Sequence, residues 1–79
     1  MSWKEENNQL TKTFEFKSFL EAMKWMQNAS HEIEKLNHHP VWTNKYNKIM
    51  VCLTTHEAGS RITEKDYQLA KILDTLSTH

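Results

Sequence analysis

The sequence predicts an α+β protein, a two-layer sandwich in which helices cover one face of a four-stranded antiparallel sheet. Two observations lead to this fold class. Apolar periodicity follows the order strand, strand, helix, strand, strand, helix, and short turns separate the paired strands. A chain of 79 residues has room for one hydrophobic core. We therefore expect residues 1–79 to form a single domain.

The start of the chain favours two extended segments. Residues 3–9 are polar apart from a tryptophan and are expected to form a short strand or arm, with a turn at Asn7 and Asn8. Residues 10–16 alternate between apolar side chains and threonine or glutamate, although Lys12 interrupts the apolar side. This alternation is typical of a half-buried strand.

Residues 18–36 carry the clearest helical pattern. Ser18 and Glu21 have the spacing of a capping box. Trp25 lies partly off the apolar stripe of this helix, so we expect it to face another subunit. Pro40 ends the helix, which places His38 and His39 in a constrained turn. The stripe consists of Phe19, Ala22, Met23, Met26, Ala29, Ile33 and Leu36.

The second half repeats the order of strands and helix. Residues 41–46 favour a short strand or loop, and residues 47–55 a strand with Ile49, Val51 and Leu53 on one face. Residues 63–66 then have the composition of a helix start, in which Asp66 is expected to act as a cap. The following helix presents Leu69, Ala70, Leu73 and Leu76.

Composition narrows the class of protein. Ten acidic and ten basic residues give a formal net charge of zero, which argues against binding nucleic acid through bulk electrostatics. The single cysteine, Cys52, excludes an internal disulfide and fits a reducing compartment. The sequence contains neither a signal-peptide pattern nor an apolar run long enough for a membrane span. We therefore expect a soluble cytoplasmic protein.

Three histidines are the side chains in this sequence best suited to acid–base chemistry. His38 and His39 follow the first helix, and His56 follows the last strand. An isolated imidazole has a pKa of about 6.5 and can donate or accept a proton near neutrality. A structural role is equally compatible with the pattern. A metal site is less compatible with the pattern, because the adjacent side chains of His38 and His39 would point to opposite sides of an extended chain. His31 and His79 are interpreted as surface residues.

Two carboxylates accompany the histidines. Glu34 lies four residues before His38, so a continuous helix would bring its carboxylate within one turn of that imidazole and let it orient the ring. The alternative is a solvated glutamate on the helix surface. For Asp66, capping of the last helix is sufficient explanation from the sequence alone.

The ordered set of these residues resembles the signature of the pterin-4a-carbinolamine dehydratase family. The resemblance covers almost the whole chain, from Trp3 and the Phe-x-Phe-x-x-Phe run at residues 14–19 to the Leu-Thr-Thr-His-Glu segment at 53–57. The most specific part is the spacing of Glu34, His38, His39, Pro40, Tyr46, His56 and Asp66.

The resemblance implies a function and a site. Family members dehydrate 4a-hydroxytetrahydropterin to quinonoid dihydropterin in tetrahydrobiopterin recycling, without a metal or cofactor. The implied catalytic residues are His38, His39 and His56, with Glu34 orienting a histidine and Trp3 or another aromatic residue covering the pterin. The implied substrate-binding residues are Asn37, His38, His39, Thr54, Thr55, His56 and Glu57.

The resemblance also implies partners and leaves alternatives open. Subunits of the family pair through sheet edges, so we expect a homodimer, with a tetramer as the alternative, and no direct contact with nucleic acid or membrane. A non-catalytic protein-interaction or dimerisation module of the same fold is the second hypothesis. A small zinc-binding domain is the third, and it predicts stoichiometric metal in the purified protein.

Overall fold

The elements of the computed structural model, which describes residues 3–77, follow the predicted order. The strands are β1 (Lys4–Glu6), β2 (Gln9–Glu15), β3 (Val41–Lys45) and β4 (Lys48–Leu53). Helix α1 (Phe19–Leu36) separates the two strand pairs, and α2 (Glu64–Ser77) closes the described chain. A single 3₁₀ turn, His56–Ala58, lies between β4 and α2. The predicted α+β class is confirmed.

The four strands form one antiparallel sheet in the order β1-β2-β4-β3. Two-residue turns close both hairpins. In the first, Asn7 and Asn8 have φ angles of 53° and 61°, the left-handed backbone that a type I′ turn needs and that asparagine tolerates. In the second, Tyr46 has a φ of 55°. The predicted turn at the asparagines is therefore confirmed. Of residues 41–46, the first five form a strand and Tyr46 lies in the turn.

Both helices lie on one face of the sheet. Ile49, Val51 and Leu53 alternate along β4 towards the helices and are fully buried, as the periodicity predicted. Met50 points to the opposite face and is half exposed. The core therefore fills only the layer between sheet and helices, and the other sheet face meets solvent in the isolated chain.

The buried side of α1 differs from the prediction at two aromatic residues. Trp25 was expected to face another subunit, but it is only 4% exposed. Its ring centroid lies 4.6 Å from that of Phe14, and its indole N–H donates to the carbonyl of Leu73 at 3.4 Å. Phe19, placed on the apolar stripe by its spacing, is 44% exposed. The core-facing side is thus rotated towards Trp25. Burial of its large indole stabilises the fold more than burial of Phe19, the first residue of the helix, would.

Capping fixes both ends of α1. Ser18 Oγ accepts a hydrogen bond from the backbone N–H of Glu21 at 3.1 Å, which is the serine half of the predicted capping box. At the other end Asn37 adopts the left-handed conformation, φ 52° and ψ 44°, and its N–H bonds to the carbonyl of Glu34 at 3.1 Å. The chain therefore turns sharply just before His38.

Lys12, which interrupts the apolar side of β2, has a partner in the helix layer. Its Nζ lies 2.6 Å from Oδ1 of Asp74 in α2 and 4.6 Å from the centroid of the Phe14 ring. Oδ2 of the same aspartate accepts from the indole N–H of Trp3 at 3.0 Å. The charged pair therefore joins sheet and helix at the edge of the core.

Within residues 3–77, none of the helices has the length and apolar character needed to cross a bilayer.

Candidate active site

His38 contacts a carboxylate that lies 28 positions later in the chain, in the first turn of α2. Its Nε2 lies 2.6 Å from Oδ1 of Asp66, and the two residues are 6% and 0% exposed. The left-handed turn at Asn37 directs the chain from α1 towards the first turn of α2, where Asp66 lies. An ionised carboxylate can only accept hydrogen bonds, so this contact assigns the hydrogen to Nε2 of His38 whenever Asp66 is ionised.

The buried carboxylate of Asp66 joins three segments of the chain. Besides His38, it accepts from Thr55 Oγ1 at 2.8 Å and from the backbone N–H of Thr63 at 2.8 Å, both through Oδ2. The Thr63 bond is the helix cap that the sequence predicted. Thr55 in turn lies 2.7 Å from Thr63 through their hydroxyl groups. A carboxylate this deeply buried is stable only when its oxygens are satisfied, and here both are.

Glu34 contacts His39 instead of His38, the histidine indicated by helical spacing. The distance between Glu34 Oε1 and His39 Nε2 is 2.8 Å, and these side chains are 76% and 58% exposed. The helix ends at Leu36, so the four-residue spacing to His38 no longer corresponds to one helical turn. Glu34 can therefore restrain the His39 ring, but from the solvent side.

His56 lies on a short loop that is closed at its base. The backbone groups of Thr55 and Arg61 pair in both directions, at 3.0 and 3.4 Å, across the intervening residues. Gly59 has a φ of 82°, a conformation that residues with a side chain disfavour, and its N–H donates to the carbonyl of His56 at 3.0 Å. Ser60 Oγ lies 3.4 Å from Nδ1 of His56. The loop thus holds an exposed imidazole above the end of β4.

The three histidines line one small depression of about 140 Å³. The loop after α1 and the loop after β4 form its walls, which consist of Asn37, His38, His39, Thr54, His56 and Glu57. These are six of the seven residues named as substrate-binding from the sequence. The seventh, Thr55, points inward to Asp66. Trp3 is not among the lining residues and is bound to Asp74.

The hydrogen bonds determine which ring nitrogens remain for a ligand. Asp66 contacts Nε2 of His38, and Glu34 contacts Nε2 of His39, so Nδ1 of each ring remains for a ligand. Ser60 contacts Nδ1 of His56, so Nε2 of that ring remains.

Residues 3–77 contain no group of three or more histidine, cysteine or acidic side chains arranged for a metal ion. His31 is exposed on α1, and His79 lies outside the described residues.

Sequence reasoning missed the pairing of His38 with Asp66. The two residues are separated by 28 positions, so no local spacing relates them. One signal was present: Asp66 stands at the third position of α2, where a carboxylate returns to the start of the helix. That position brings it to the base of the His56 loop as well.

The comparisons with known proteins agree on one family. The family model described as pterin 4 alpha carbinolamine dehydratase matches residues 1–76. A relative from Opitutus terrae, provisionally named a pterin-4-alpha-carbinolamine dehydratase, is 47% identical over 95% of this chain and 77% of its own length. One from Solibacter usitatus with the same provisional name is 43% identical over 96% of this chain and 79% of its own. Relatives from Rhizobium leguminosarum and Rhizobium etli are longer, and the chain spans 63% of their length.

Two solved structures are similar to the whole described fold. A transcriptional coactivator/pterin dehydratase from Brucella melitensis superposes with a TM-score of 0.90 at 35% identity, covering 95% of this chain and 81% of that one. A pterin dehydratase-like protein that is a RuBisCO assembly factor in the alpha-carboxysome gives a TM-score of 0.83 at 20% identity, covering 98% and 90%. At that identity the second likeness concerns the fold alone.

Proposed function

Because the chain belongs to the pterin-4a-carbinolamine dehydratase family, we propose that it dehydrates 4a-hydroxytetrahydropterin to quinonoid dihydropterin and water. One observation carries this proposal: His38, His39 and His56 line a single depression, although they come from two loops distant in sequence. No other described part of the chain gathers three imidazoles around a space open to a small molecule.

The reaction requires two proton movements at neighbouring atoms. The bond between C4a and the hydroxyl oxygen breaks, and a general acid protonates that oxygen so that it leaves as water. N5 loses its hydrogen to a general base, and its electron pair forms the C4a=N5 double bond. Imidazoles suit both tasks near neutral pH, and one positioned acid or base contributes a factor of about 10²–10⁴.

His38 is suited to the role of the base. Its Nε2–H donates to buried Asp66, so the neutral ring presents an unprotonated Nδ1. When that nitrogen takes the proton from N5, the adjacent carboxylate stabilises the imidazolium. The aspartate also fixes the ring, because it is held by Thr55 and Thr63. In this scheme Asp66 is a positioning residue and does not touch the substrate.

His39 and His56 act on the departing oxygen. His39, restrained by Glu34, donates the proton that converts the hydroxyl group into water. His56 reaches over the depression from the opposite loop and polarises the oxygen or holds the pterin. The two roles require exposed imidazoles that exchange protons with solvent between turnovers, and both histidines are exposed.

The remaining lining residues fit the polar edge of a pterin. The pyrimidine part of the ring carries an amino group, a ring N–H and a carbonyl oxygen. Glu57 can accept from the first two, and the side-chain amide of Asn37 can donate to the carbonyl. Thr54 donates its hydroxyl hydrogen to the carbonyl of Asn8 at 3.0 Å, so its oxygen is oriented as an acceptor.

The same proposal extends to the setting of the enzyme. We place it in the cytoplasm as a single-domain homodimer that supports tetrahydrobiopterin recycling. The family assignment supports the pterin substrate. The lone Cys52 and the balanced charge support a reducing compartment without a nucleic-acid partner.

Turnover of the carbinolamine tests the proposal directly. A hydroxylase generates 4a-hydroxytetrahydropterin in situ, and the ultraviolet absorbance of the quinonoid product reports dehydration. Wild type should exceed the spontaneous rate, whereas a folded His39→Ala/His56→Ala double variant should not. A matched His31→Ala variant, altered on the exposed surface of α1, should retain wild-type activity. Only the spontaneous rate from well-folded wild type would overturn the proposal and favour the non-catalytic interaction module.

A further inference from the structure

Thr55 lies beneath the depression and not in its wall. Its side chain is buried, and its hydroxyl group donates to Oδ2 of Asp66 at 2.8 Å. The residues on either side of it, Thr54 and His56, both line the depression, whereas Thr55 does not. The family resemblance implied that Thr55 binds substrate. Any role of its hydroxyl group in the site therefore acts through Asp66.

The hydrogen bonds that lead to Asp66 run in one direction. A threonine hydroxyl group carries one hydrogen, and an ionised carboxylate has none to donate. Because Thr55 gives its hydrogen to ionised Asp66, the 2.7 Å contact between the hydroxyl groups of Thr55 and Thr63 takes its hydrogen from Thr63. Donation thus passes from Thr63 to Thr55 to the carboxylate that contacts His38.

The two oxygens of Asp66 have different partners. Oδ2 accepts from the hydroxyl group of Thr55 and from the backbone N–H of Thr63, both at 2.8 Å. Oδ1 lies 2.6 Å from Nε2 of His38. Two donors from different segments of the chain restrain the rotation of the carboxylate about its bond to Cβ, and this directs Oδ1 at the imidazole. Without the hydroxyl group, only one N–H from the start of α2 would hold Oδ2.

We propose that Thr55 is a positioning residue, whose hydroxyl group keeps Asp66 in the orientation that fixes the His38 ring. The inference rests on the proposed function for its effect on catalysis. Nδ1 of His38 has to lie within hydrogen-bond distance of the proton that it accepts. A displacement of about 1 Å in such a group can lower the rate about 10²-fold. The effect falls on kcat and not on KM, because the hydroxyl group of Thr55 does not touch the substrate.

The backbone of Thr55 has a separate task, so the hydroxyl group can be tested alone. The N–H of Thr55 donates to the carbonyl of Arg61 at 3.0 Å. Its carbonyl accepts from the N–H groups of Ala58 and Arg61 at 3.2 and 3.4 Å. These bonds close the His56 loop without the side chain. Valine has the branched shape of threonine, so Thr55→Val removes the hydroxyl group and should leave His56 in place.

The hydrogen on Nε2 of His38 reports the orientation of Asp66 without any substrate. Because it is donated to a buried carboxylate, it should give a low-field proton NMR resonance that exchanges slowly with water and is absent from His38→Gln. Thr55→Val should move this resonance upfield and accelerate its exchange by about tenfold. Thr55→Ser, which keeps a hydroxyl group, should restore the wild-type resonance. Thr13→Val, the same change at an exposed position of β2, should have no effect.

Steady-state kinetics with the carbinolamine measure the consequence for catalysis. Thr55→Val should lower kcat by about 10- to 100-fold and leave KM near wild type. Thr55→Ser should recover most of that loss, and Thr13→Val should behave as wild type. Circular dichroism verifies folding. If the valine variant is unfolded, Thr55→Cys replaces it, because a thiol of similar size is only a weak donor.

The outcomes separate this inference from the proposed function. If wild type gives only the spontaneous rate, the proposed function fails, and the His38 resonance still decides whether Thr55 positions that ring. If folded Thr55→Val keeps both the resonance and kcat, the positioning role is wrong while the dehydratase function stands. A higher KM with unchanged kcat would also overturn it and return Thr55 to the residues that contact substrate.

Discussion

Asp66 accepts a hydrogen bond from Nε2 of His38 at 2.6 Å inside the protein, while Glu34 makes the same type of bond to His39 at 2.8 Å in solvent. The geometry of the two pairs is similar, but their environments differ. A hydrogen bond to a charged group weakens when water competes for both partners. The buried pair should therefore matter more for catalysis and for stability.

Asp66→Asn should lower both kcat and the free energy of unfolding. An amide has one acceptor oxygen, so it cannot serve both His38 and the N–H of Thr63. Either the cap is lost, or the amide donates to Nε2 and moves the histidine hydrogen to Nδ1, the wrong tautomer for a base. We expect a loss in kcat of about 10²-fold or more. The accompanying loss of stability should be about 1–3 kcal/mol.

Asp74→Asn is the matched control for that measurement. Asp74 lies two turns later on α2 and accepts from Trp3 and Lys12, not from a residue of the depression. Its substitution should destabilise the fold, as seen in urea unfolding, yet leave kcat of the folded enzyme close to wild type. Equal kcat losses in the two variants would show that Asp66 acts only through stability.

Glu34→Gln should have a small effect. An exposed ion pair contributes about 0–1 kcal/mol, which corresponds to at most about a fivefold change in rate. The variant Glu32→Gln, altered two residues earlier on the same helix, where the side chain pairs with Lys35, provides the comparison for steady-state kinetics. A loss in kcat as large as that of Asp66→Asn would mean that Glu34 participates in the chemistry.

Trp25→Ala should reduce the free energy of unfolding by about 3–5 kcal/mol, because it removes a large buried ring from the centre of the core. Urea unfolding at two protein concentrations measures this effect. A core residue gives the same loss at both concentrations, whereas a residue in a subunit interface gives a loss that depends on concentration. Trp25→Phe is the milder substitute if the alanine variant does not fold.

Tyr67 should ionise at higher pH than an ordinary tyrosine. Its hydroxyl donates to Glu5 Oε2 at 2.6 Å, and this bond to a carboxylate raises the pKa of Tyr67 above 10.0. In a Tyr46→Phe background, near-ultraviolet difference absorbance follows Tyr67 alone. Adding Glu5→Gln should move the midpoint down towards 10.0. An unchanged midpoint would show that the bond does not persist in solution.

The direction of the linked stability change follows from the raised pKa. A group with a higher pKa in the folded state adds stability that is fully present below its unfolded pKa. That stability is lost as the pH rises through the folded pKa. The contact between β1 and α2 should therefore lose this contribution in alkaline solution, at a pH above 10.0.

The sequence was sufficient for the order of elements but not for every direction in which side chains point. Periodicity located both helices and the buried face of β4, and Asn7 and Asn8 revealed a tight turn because few residues tolerate that backbone. Helical periodicity left the core-facing side of α1 uncertain by a fraction of a turn. Trp25 and Phe19 lie at the two margins of that side, so a small rotation exchanged their environments.

The site was predictable as a set of residues and not as a set of contacts. Spacing and family resemblance named the residues that line the depression. The partners of the histidines depend on where the chain turns after α1. One left-handed residue, Asn37, moves His38 away from Glu34 and towards Asp66. A contact between such distant positions is decided by tertiary packing, which local pattern does not encode.

The reciprocal backbone pair between Thr55 and Arg61 separates the His56 loop from the remainder of the fold. Residues inserted above this pair would lengthen the loop without shifting β4 or α2, since the pair fixes both ends. The reach of His56 can therefore vary independently of the His38 anchor. Loop length at residues 56–60 is thus an adjustable parameter for engineering, through which the opening of the depression can be widened while His38 stays bonded to Asp66.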